Sequence, residues 1–119
     1  MAVARYSALA LIAFLVSPIM VMATTYDIVW ALGIDYSTDF VEQNTFYAGD
    51  VITFHYDVAR DDVVIATDGD AFDQCMMEPN LGHYQSGNDA LTLCEPKYHY
   101  FMCGYHCKSN GMKMSVFVN

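Results

Sequence analysis

Short runs in which apolar residues alternate with other residues recur along the chain. Val51–Tyr56 has this pattern, and so do Tyr98–Met102 and Met112–Val118 near the C-terminal end. A period of two places every second side chain on one face of an extended strand. Shorter candidate strands are Tyr26–Trp30, Thr45–Tyr47, Val63–Ala66 and Leu91–Leu93. About seven short strands separated by turn residues predict an all-β sandwich.

The segments between these strands predict local structure. We expect Leu91–Leu93 to form a hairpin with Tyr98–Met102 through a turn at Glu95-Pro96-Lys97. Ser86-Gly87-Asn88-Asp89 is expected to be a loop. One short helical turn is predicted at Ala71–Cys75, with Asp70 as its N-cap residue.

The first 23 residues have the pattern of a signal peptide. Arg5 precedes an apolar stretch at Tyr6–Val16, and small residues at Val21-Met22-Ala23 favour cleavage after Ala23. The alternative is a retained membrane anchor, but residues 6–23 are barely long enough to span a bilayer and contain Pro18. No second hydrophobic stretch follows, so we expect a secreted or cell-surface protein without a transmembrane segment once the leader is removed.

The remaining residues, 24–119, predict one small acidic domain. They hold all 14 acidic residues and four of the five basic ones, because Arg5 lies in the leader, and their formal charge is −10. Nucleic acids and anionic membranes bind through Lys and Arg, so this charge argues against both as partners. A partner with a basic surface is electrostatically possible, although an acidic surface can also serve solubility alone. We expect a monomer.

Candidate metal ligands lie between the last two predicted strands. The loop contains a thiol at Cys103, an imidazole at His106, a second thiol at Cys107 and a thioether at Met112. Thiolate, imidazole and a weak axial thioether are the ligands of blue-copper electron-transfer sites. Each residue also has a simpler explanation: Cys103 as core filler, His106 as polar surface and Met112 as core packing.

The four cysteines allow three pairings if all of them form disulfides. Cys94 and Cys103 lie at opposite ends of the proposed hairpin arm, which is too long for a disulfide at about 3.3 Å of rise per residue. Cys94 is expected to be a half-buried apolar residue at the end of a strand, with a reactive surface thiol as the alternative.

The run YFMCGYHCKSNGMK, residues 100–113, resembles the ligand loop of the plant phytocyanins, a cupredoxin family. Four further segments resemble family motifs in the same order: IDYST at 34–38, TFYAGD at 45–50, FHYD at 54–57 and FDQC at 72–75. The resemblance spans nearly all of residues 24–119. It implies a cupredoxin-like Greek-key β-sandwich, copper as cofactor and a disulfide between Cys75 and Cys107.

Two positions depart from the family pattern. Asp61 falls where the family has its first histidine ligand, and the Cys103–His106 spacing is C-x2-H rather than C-x4-H. Asp61 could supply an oxygen ligand, which would favour Cu(II) and lower the reduction potential. The alternative for Asp61 is a plain turn residue. His55 is a further candidate for the missing ligand, whereas His83 and His99 are interpreted as structural or surface residues.

The resemblance implies a secreted copper-binding protein that carries single electrons between redox partners, with Cys103, His106 and Met112 as ligands. Asp61 is the candidate for the fourth ligand position. Such a carrier needs no catalysis, and no set of residues indicates hydrolytic or phosphoryl-transfer chemistry. The alternative is a metal-free module of the early nodulin-like kind, which binds partners or has a structural role at the cell surface. Copper storage or handover without redox turnover is a third possibility.

Overall fold

The computed structural model describes residues 22–119, so the predicted leader falls almost wholly outside the described part and stays a prediction. Across residues 22–119, no helix has the length and apolar character needed to cross a membrane. The described strands are β1 (Thr25–Val29), β2 (Val51–His55), β3 (Val63–Ala66), β4 (Asn80–Tyr84), β5 (Asn88–Thr92), β6 (Tyr98–Met102) and β7 (Lys113–Phe117). The helical elements are a π-helical turn (Ser37–Val41), α1 (Gly69–Asp73) and α2 (Cys107–Asn110).

The strands form two sheets. One has the order β1-β2-β5, and the other has the order β4-β3-β6-β7. β1 runs parallel to β2, and the remaining neighbours are antiparallel. The chain changes sheets between β2 and β3, between β4 and β5, and between β5 and β6. Such long-range returns are typical of Greek-key sandwiches, in agreement with the predicted fold class.

The main core lies between the two sheets. Inward-facing residues of both sheets belong to one buried cluster, as the alternation of the strands predicts. Phe54 of β2 packs against Phe101 of β6, with ring centroids 5.1 Å apart. Trp30, which is fully buried, contacts Phe54 edge-on. Cys103 and Met112 belong to the same cluster, so both ends of the candidate ligand loop are anchored in the core.

A second, smaller cluster covers the outer face of the four-stranded sheet. Val64, Ala66 and Met102 point away from the main core because they alternate with residues that point inward. Ala71 of α1 covers them, together with both half-cystines of the Cys75–Cys107 disulfide. The structure therefore contains the disulfide that the family resemblance implies.

The predicted hairpin between Leu91–Leu93 and Tyr98–Met102 is wrong. β5 pairs with β2, with Leu91 opposite Ile52, whereas β6 pairs with β3 and β7 in the other sheet. Leu93 stays beside the start of β2, because its N–H donates to the Asp50 carbonyl at 2.8 Å. The segment at residues 94–97 is thus a crossing between sheets and not a hairpin turn.

Several smaller predictions also need correction. Thr45–Tyr47 is not a strand: Phe46 makes a single parallel bridge to Val118. The helical turn begins two residues earlier than predicted, because the side chain of Asp68, and not that of Asp70, accepts a hydrogen bond from Ala71 N at 2.8 Å. One helical turn was expected, and the described chain has three.

The region around residue 88 differs from the prediction as well. Asn88 and Asp89, expected in a loop, begin β5, because they pair with His55 and Phe54 of β2. β4 has no counterpart among the predicted strands. Cys94 is exposed and not half-buried, and it is one of two free cysteines in the described chain, with the buried Cys103.

Candidate metal centre

The loop between β6 and β7 carries three of the predicted ligands, Cys103, His106 and Met112, and is closed at its base by backbone hydrogen bonds. Cys103 directly follows β6, and its N–H donates to the Met112 carbonyl at 3.0 Å. The N–H of Met112 in turn donates to the His106 carbonyl at 3.2 Å. Gly111 ends α2 in the left-handed conformation, with φ of 64°, which a residue without a Cβ adopts without strain. These contacts fix Cys103 and His106 relative to the two strands.

Asp61 reaches the same place from the segment between β2 and β3. A tight turn positions it, because the N–H groups of Arg60 and Asp61 both donate to the Asp57 carbonyl at 3.0 Å. The Asp61 side chain points inward and is only 6% exposed. Asp61 is therefore part of a turn, but its carboxylate faces the Cys103 loop and not solvent.

Asp61, Cys103 and His106 converge. Their ligand atoms all lie within 4.8 Å of one another. Asp61 Oδ1 is 2.9 Å from His106 Nδ1 and 3.4 Å from Cys103 Sγ, and Cys103 Sγ is 3.7 Å from His106 Nδ1. The centre of a triangle with these sides is about 2 Å from each atom, close to the roughly 2.0–2.2 Å of zinc bonds to nitrogen and oxygen and somewhat short of the roughly 2.3 Å of a zinc–sulfur bond. The donor set thus fits a transition-metal ion in both spacing and chemistry.

Burial sets the electrostatics of this cluster. Cys103 is fully buried, and burial raises the pKa of its thiol because the thiolate loses hydration. The hydrogen bond to the Asp61 carboxylate acts in the same direction. Without a cation the thiol therefore stays protonated and donates to Asp61. A bound cation would favour the thiolate, since it supplies the opposite charge that the buried site lacks.

Met112 lies beside the cluster, and its ligand role stays a prediction. It is 4% exposed, and its carbonyl accepts the hydrogen bond from Cys103 N.

The histidines other than His106 have different partners. His55 Nε2 is 2.9 Å from Asp27 Oδ1 in the three-stranded sheet, and His99 Nε2 contacts the Glu95 carbonyl at 2.8 Å. The structure does not bring His55 into the cluster.

Asp62 forms a hydrogen bond with the loop that carries Cys103 and His106, and this role was not predicted from the sequence. Its Oδ1 accepts a hydrogen bond from Gly104 N at 2.6 Å, and its Oδ2 is 2.7 Å from His83 Nε2. Its carbonyl accepts from Trp30 Nε1 at 2.8 Å. A Cβ on Gly104 would lie 2.9 Å from Asp62 Oδ2, so only glycine allows this approach. In the sequence, only the position of Asp62 next to Asp61 connects Asp62 with the candidate site.

His106 connects the cluster to solvent. Its side chain is 26% exposed, whereas that of Asp61 is 6% exposed and Cys103 is fully buried. A cavity of about 660 Å³ opens on His106 and Asp61. Its remaining walls are largely apolar and aromatic and include Val29, Leu32, Tyr56 and Tyr105. The edge of the His106 imidazole is thus the exposed side of the donor set.

Comparison with known proteins agrees with this architecture. A family model described as the plastocyanin-like domain matches residues 30–112. Uclacyanin-2 of Arabidopsis thaliana is 33% identical over 119 residues, covering 98% of this chain and 56% of that protein. Blue copper protein 1b of Medicago truncatula is 29% identical over 110 residues, covering 87% of this chain and 67% of that protein. The chain therefore spans about half to two thirds of the length of these relatives.

The fold has a close counterpart among solved structures. Spinach plantacyanin superposes with a TM-score of 0.69 and 27% sequence identity, and the match covers 81% of this chain and 100% of the spinach chain. The family-model match includes Asp61, Cys103, His106 and Met112, so the candidate site lies inside the shared domain. The chain belongs to the phytocyanin family of plastocyanin-like domains.

Proposed function

We propose that this protein binds one copper ion, which Asp61, Cys103 and His106 would hold with the Met112 thioether as a further, weaker ligand, and that it carries single electrons. The observation that supports this most directly is the convergence of three unlike donor atoms, two of them buried, around one point. Bound copper would supply a one-electron redox couple at that point. The relatives named above include a blue copper protein, and the chain shares their domain.

The chain's own residues suit this task in three ways. The backbone hydrogen bonds of the loop and the Asp62–Gly104 contact hold the donors in place, so their geometry need change little between oxidation states. The buried position of Cys103 keeps water from its sulfur. The partly exposed His106 offers the shortest path from the site to a partner protein at the surface.

The carboxylate of Asp61 distinguishes this site from the family pattern. Oxygen donors suit Cu(II) better than Cu(I), whereas thiolate and thioether suit Cu(I). We infer a site whose reduction potential is lower than that of a site with a second imidazole. The function needs no chemical transformation of a substrate, so we assign an electron carrier and not an enzyme.

The cellular context follows from the sequence pattern. We infer export through the leader at residues 1–23, which places residues 24–119 in the secreted or cell-surface space. The oxidising environment there agrees with the Cys75–Cys107 disulfide. The formal charge of −10 for residues 24–119 favours a redox partner with a basic docking surface. We infer a monomer in solution.

Copper titration of the purified protein tests the proposal. We expect one equivalent of Cu(II) to stay bound through dialysis and to give the intense visible absorption of thiolate-to-copper charge transfer. Cys103→Ser should abolish the absorption, because the thiolate is its source, whereas Cys94→Ser should leave it unchanged, since Cys94 is exposed and outside the cluster. If the wild-type protein retains no copper, the metal-free binding or structural module becomes the better assignment. Retention of copper without reversible one-electron reduction would indicate storage or handover.

A further inference from the structure

Asp50 is a buried carboxylate at the start of β2. The residue is only 3% exposed. Its Oδ1 accepts a hydrogen bond from the backbone N of Thr24 at 2.8 Å, and its Oδ2 accepts one from the backbone N of Tyr47 at 2.9 Å. A buried carboxylate is costly unless it is paired with a cation or well supplied with donors. Within residues 22–119, none of the ion pairs to Lys, Arg or His includes Asp50.

Thr24 is held against Asp50 from both sides. The N–H of Val51 donates to the Thr24 carbonyl at 2.9 Å, so the residue next to Asp50 fixes the carbonyl side of Thr24. β1 begins at the next residue, with Thr25 opposite Val51 in parallel register. The nitrogen of Thr24 therefore has a defined place beside the carboxylate, although the Thr24 side chain is exposed.

We propose that Asp50 is a receptor for a new N-terminus: hydrolysis of the Ala23–Thr24 bond turns the Thr24 nitrogen into an ammonium group that pairs with the buried carboxylate. The bond in question is the cleavage site that the leader pattern predicts. A peptidase adds water across it, which leaves a carboxylate on Ala23 and an amine on Thr24, and this amine takes up a proton from water at neutral pH.

Cleavage changes the charge of the donor in this contact. Before cleavage, an uncharged amide with a single hydrogen donates to Asp50 Oδ1. After cleavage, the donor is charged as well as the acceptor, so a hydrogen bond from a neutral amide to a carboxylate becomes one between two opposite charges. The ammonium is thus the cation that Asp50 lacks. Removal of the leader would stabilise the attachment of β1 to β2, so processing and the final stability of the sandwich are linked. This inference does not depend on copper.

The experiment uses the complete chain expressed in secreting plant cells. The N-terminal residue of the secreted protein is identified by mass spectrometry. The same protein is then acetylated at its α-amine, which restores an uncharged amide at Thr24, and both forms are unfolded with urea. We expect Thr24 as the first residue, and a folding equilibrium constant about tenfold smaller after acetylation.

Two variants separate the specific pair from a general charge effect. In Asp50→Asn, acetylation should change the folding constant less than about twofold, because the charged partner is gone. Asp27→Asn is the matched control: Asp27 lies on β1 and is 68% exposed, so the roughly tenfold effect of acetylation should persist. If Asp50→Asn does not fold, the acetylation rate of the Thr24 amine in the wild-type protein tests the pair instead. Pairing with Asp50 keeps the amine protonated and unreactive, so acetylation should be about tenfold slower in the folded protein than in the unfolded chain.

Three results would overturn the proposal. The secreted protein could begin at a residue other than Thr24. Acetylation could leave the stability of the wild-type protein unchanged while the Thr24 amine is acetylated as fast in the folded protein as in the protein unfolded by urea. Asp27→Asn could remove the effect of acetylation as fully as Asp50→Asn does. This inference rests on the export inferred above, but the metal-binding experiments have no bearing on these outcomes, so it and the copper site fail independently.

Discussion

Asp61 Oδ1 lies 2.9 Å from His106 Nδ1, although 45 residues separate the two in the sequence. Asp61 occupies the position at which the phytocyanin motif has a histidine. In the proposed site, the departure from the motif would change the chemistry of one donor without removing a donor. A carboxylate there is buried and directed at the other two donors, so the loss of the histidine does not by itself argue for a metal-free domain.

The substitution Asp61→His tests this interpretation. An imidazole in place of the carboxylate should bind Cu(I) relatively better, because it suits both copper states. We expect the reduction potential of the copper-loaded protein to rise by about 60 mV for each tenfold gain in relative affinity for Cu(I), as measured by voltammetry. Asp57→His, in the same turn but largely exposed, is the control and should leave the potential unchanged. A fall in potential in Asp61→His would refute the role of Asp61 as a ligand.

Asp62 should matter for stability and for the loop. Asp62→Ala removes the acceptor for Gly104 N and the partner of His83, and takes a carboxylate that is 4% exposed out of the structure. We expect a loss of about 2 kcal/mol in the free energy of unfolding, measured by urea denaturation. Asp39→Ala serves as the control because Asp39 is exposed in the π-helical turn, and its effect should stay within about 0.5 kcal/mol. Equal effects of the two variants would contradict this view of Asp62.

The alternating pattern of the sequence located β2, β6 and β7 to within a residue, because a half-buried strand must repeat its apolar residues with a period of two. β4 was not predicted, because its sequence, NLGHY, has a glycine at its centre and no alternation of apolar residues. In the structure its alternate residues reach only intermediate burial. Its extended form depends on pairing with β3, which a local pattern does not reveal. The wrong hairpin has the same origin: proximity in sequence suggested that β5 pairs with β6, whereas burial of Leu91 places β5 beside β2.

The local part of the site was readable from sequence, and the distant part was not. Cys103 and His106 lie in one short loop, and the family motif identified them together. Counting along the motif brought Asp61 into consideration, but its burial and direction depend on how β3 lies beside β6. The pairing of Asp62 with His83 joins residues 21 positions apart through the β3–β4 pair, and no spacing rule indicates it.

The disulfide should be a major contributor to stability. Cys75 and Cys107 are 32 residues apart, and closing a loop of that length in the unfolded chain corresponds to about 4 kcal/mol. The double variant Cys75→Ser/Cys107→Ser should lose stability of that order in urea denaturation. It should also bind copper more weakly, because α2 would no longer be tied to the segment after α1. Cys94→Ser, which removes an exposed free thiol, is the control. A double variant as stable as Cys94→Ser would show that packing alone holds the loop.

Two tyrosines, the buried Tyr36 and the partly buried Tyr56, should make the fold sensitive to alkaline pH. Burial raises the pKa of Tyr36 to about 12 and that of Tyr56 to about 12, above the ordinary value near 10. The folded protein then keeps protons that the unfolded chain releases, so this contribution to stability is complete below about pH 10 and is lost as the pH rises toward about 12. Tyr36→Phe should lessen the decline in unfolding free energy over this range by up to ~2 kcal/mol, whereas Tyr98→Phe, at an exposed position, should leave it unchanged. An equally steep decline in Tyr36→Phe and the wild type would rule out this contribution of Tyr36.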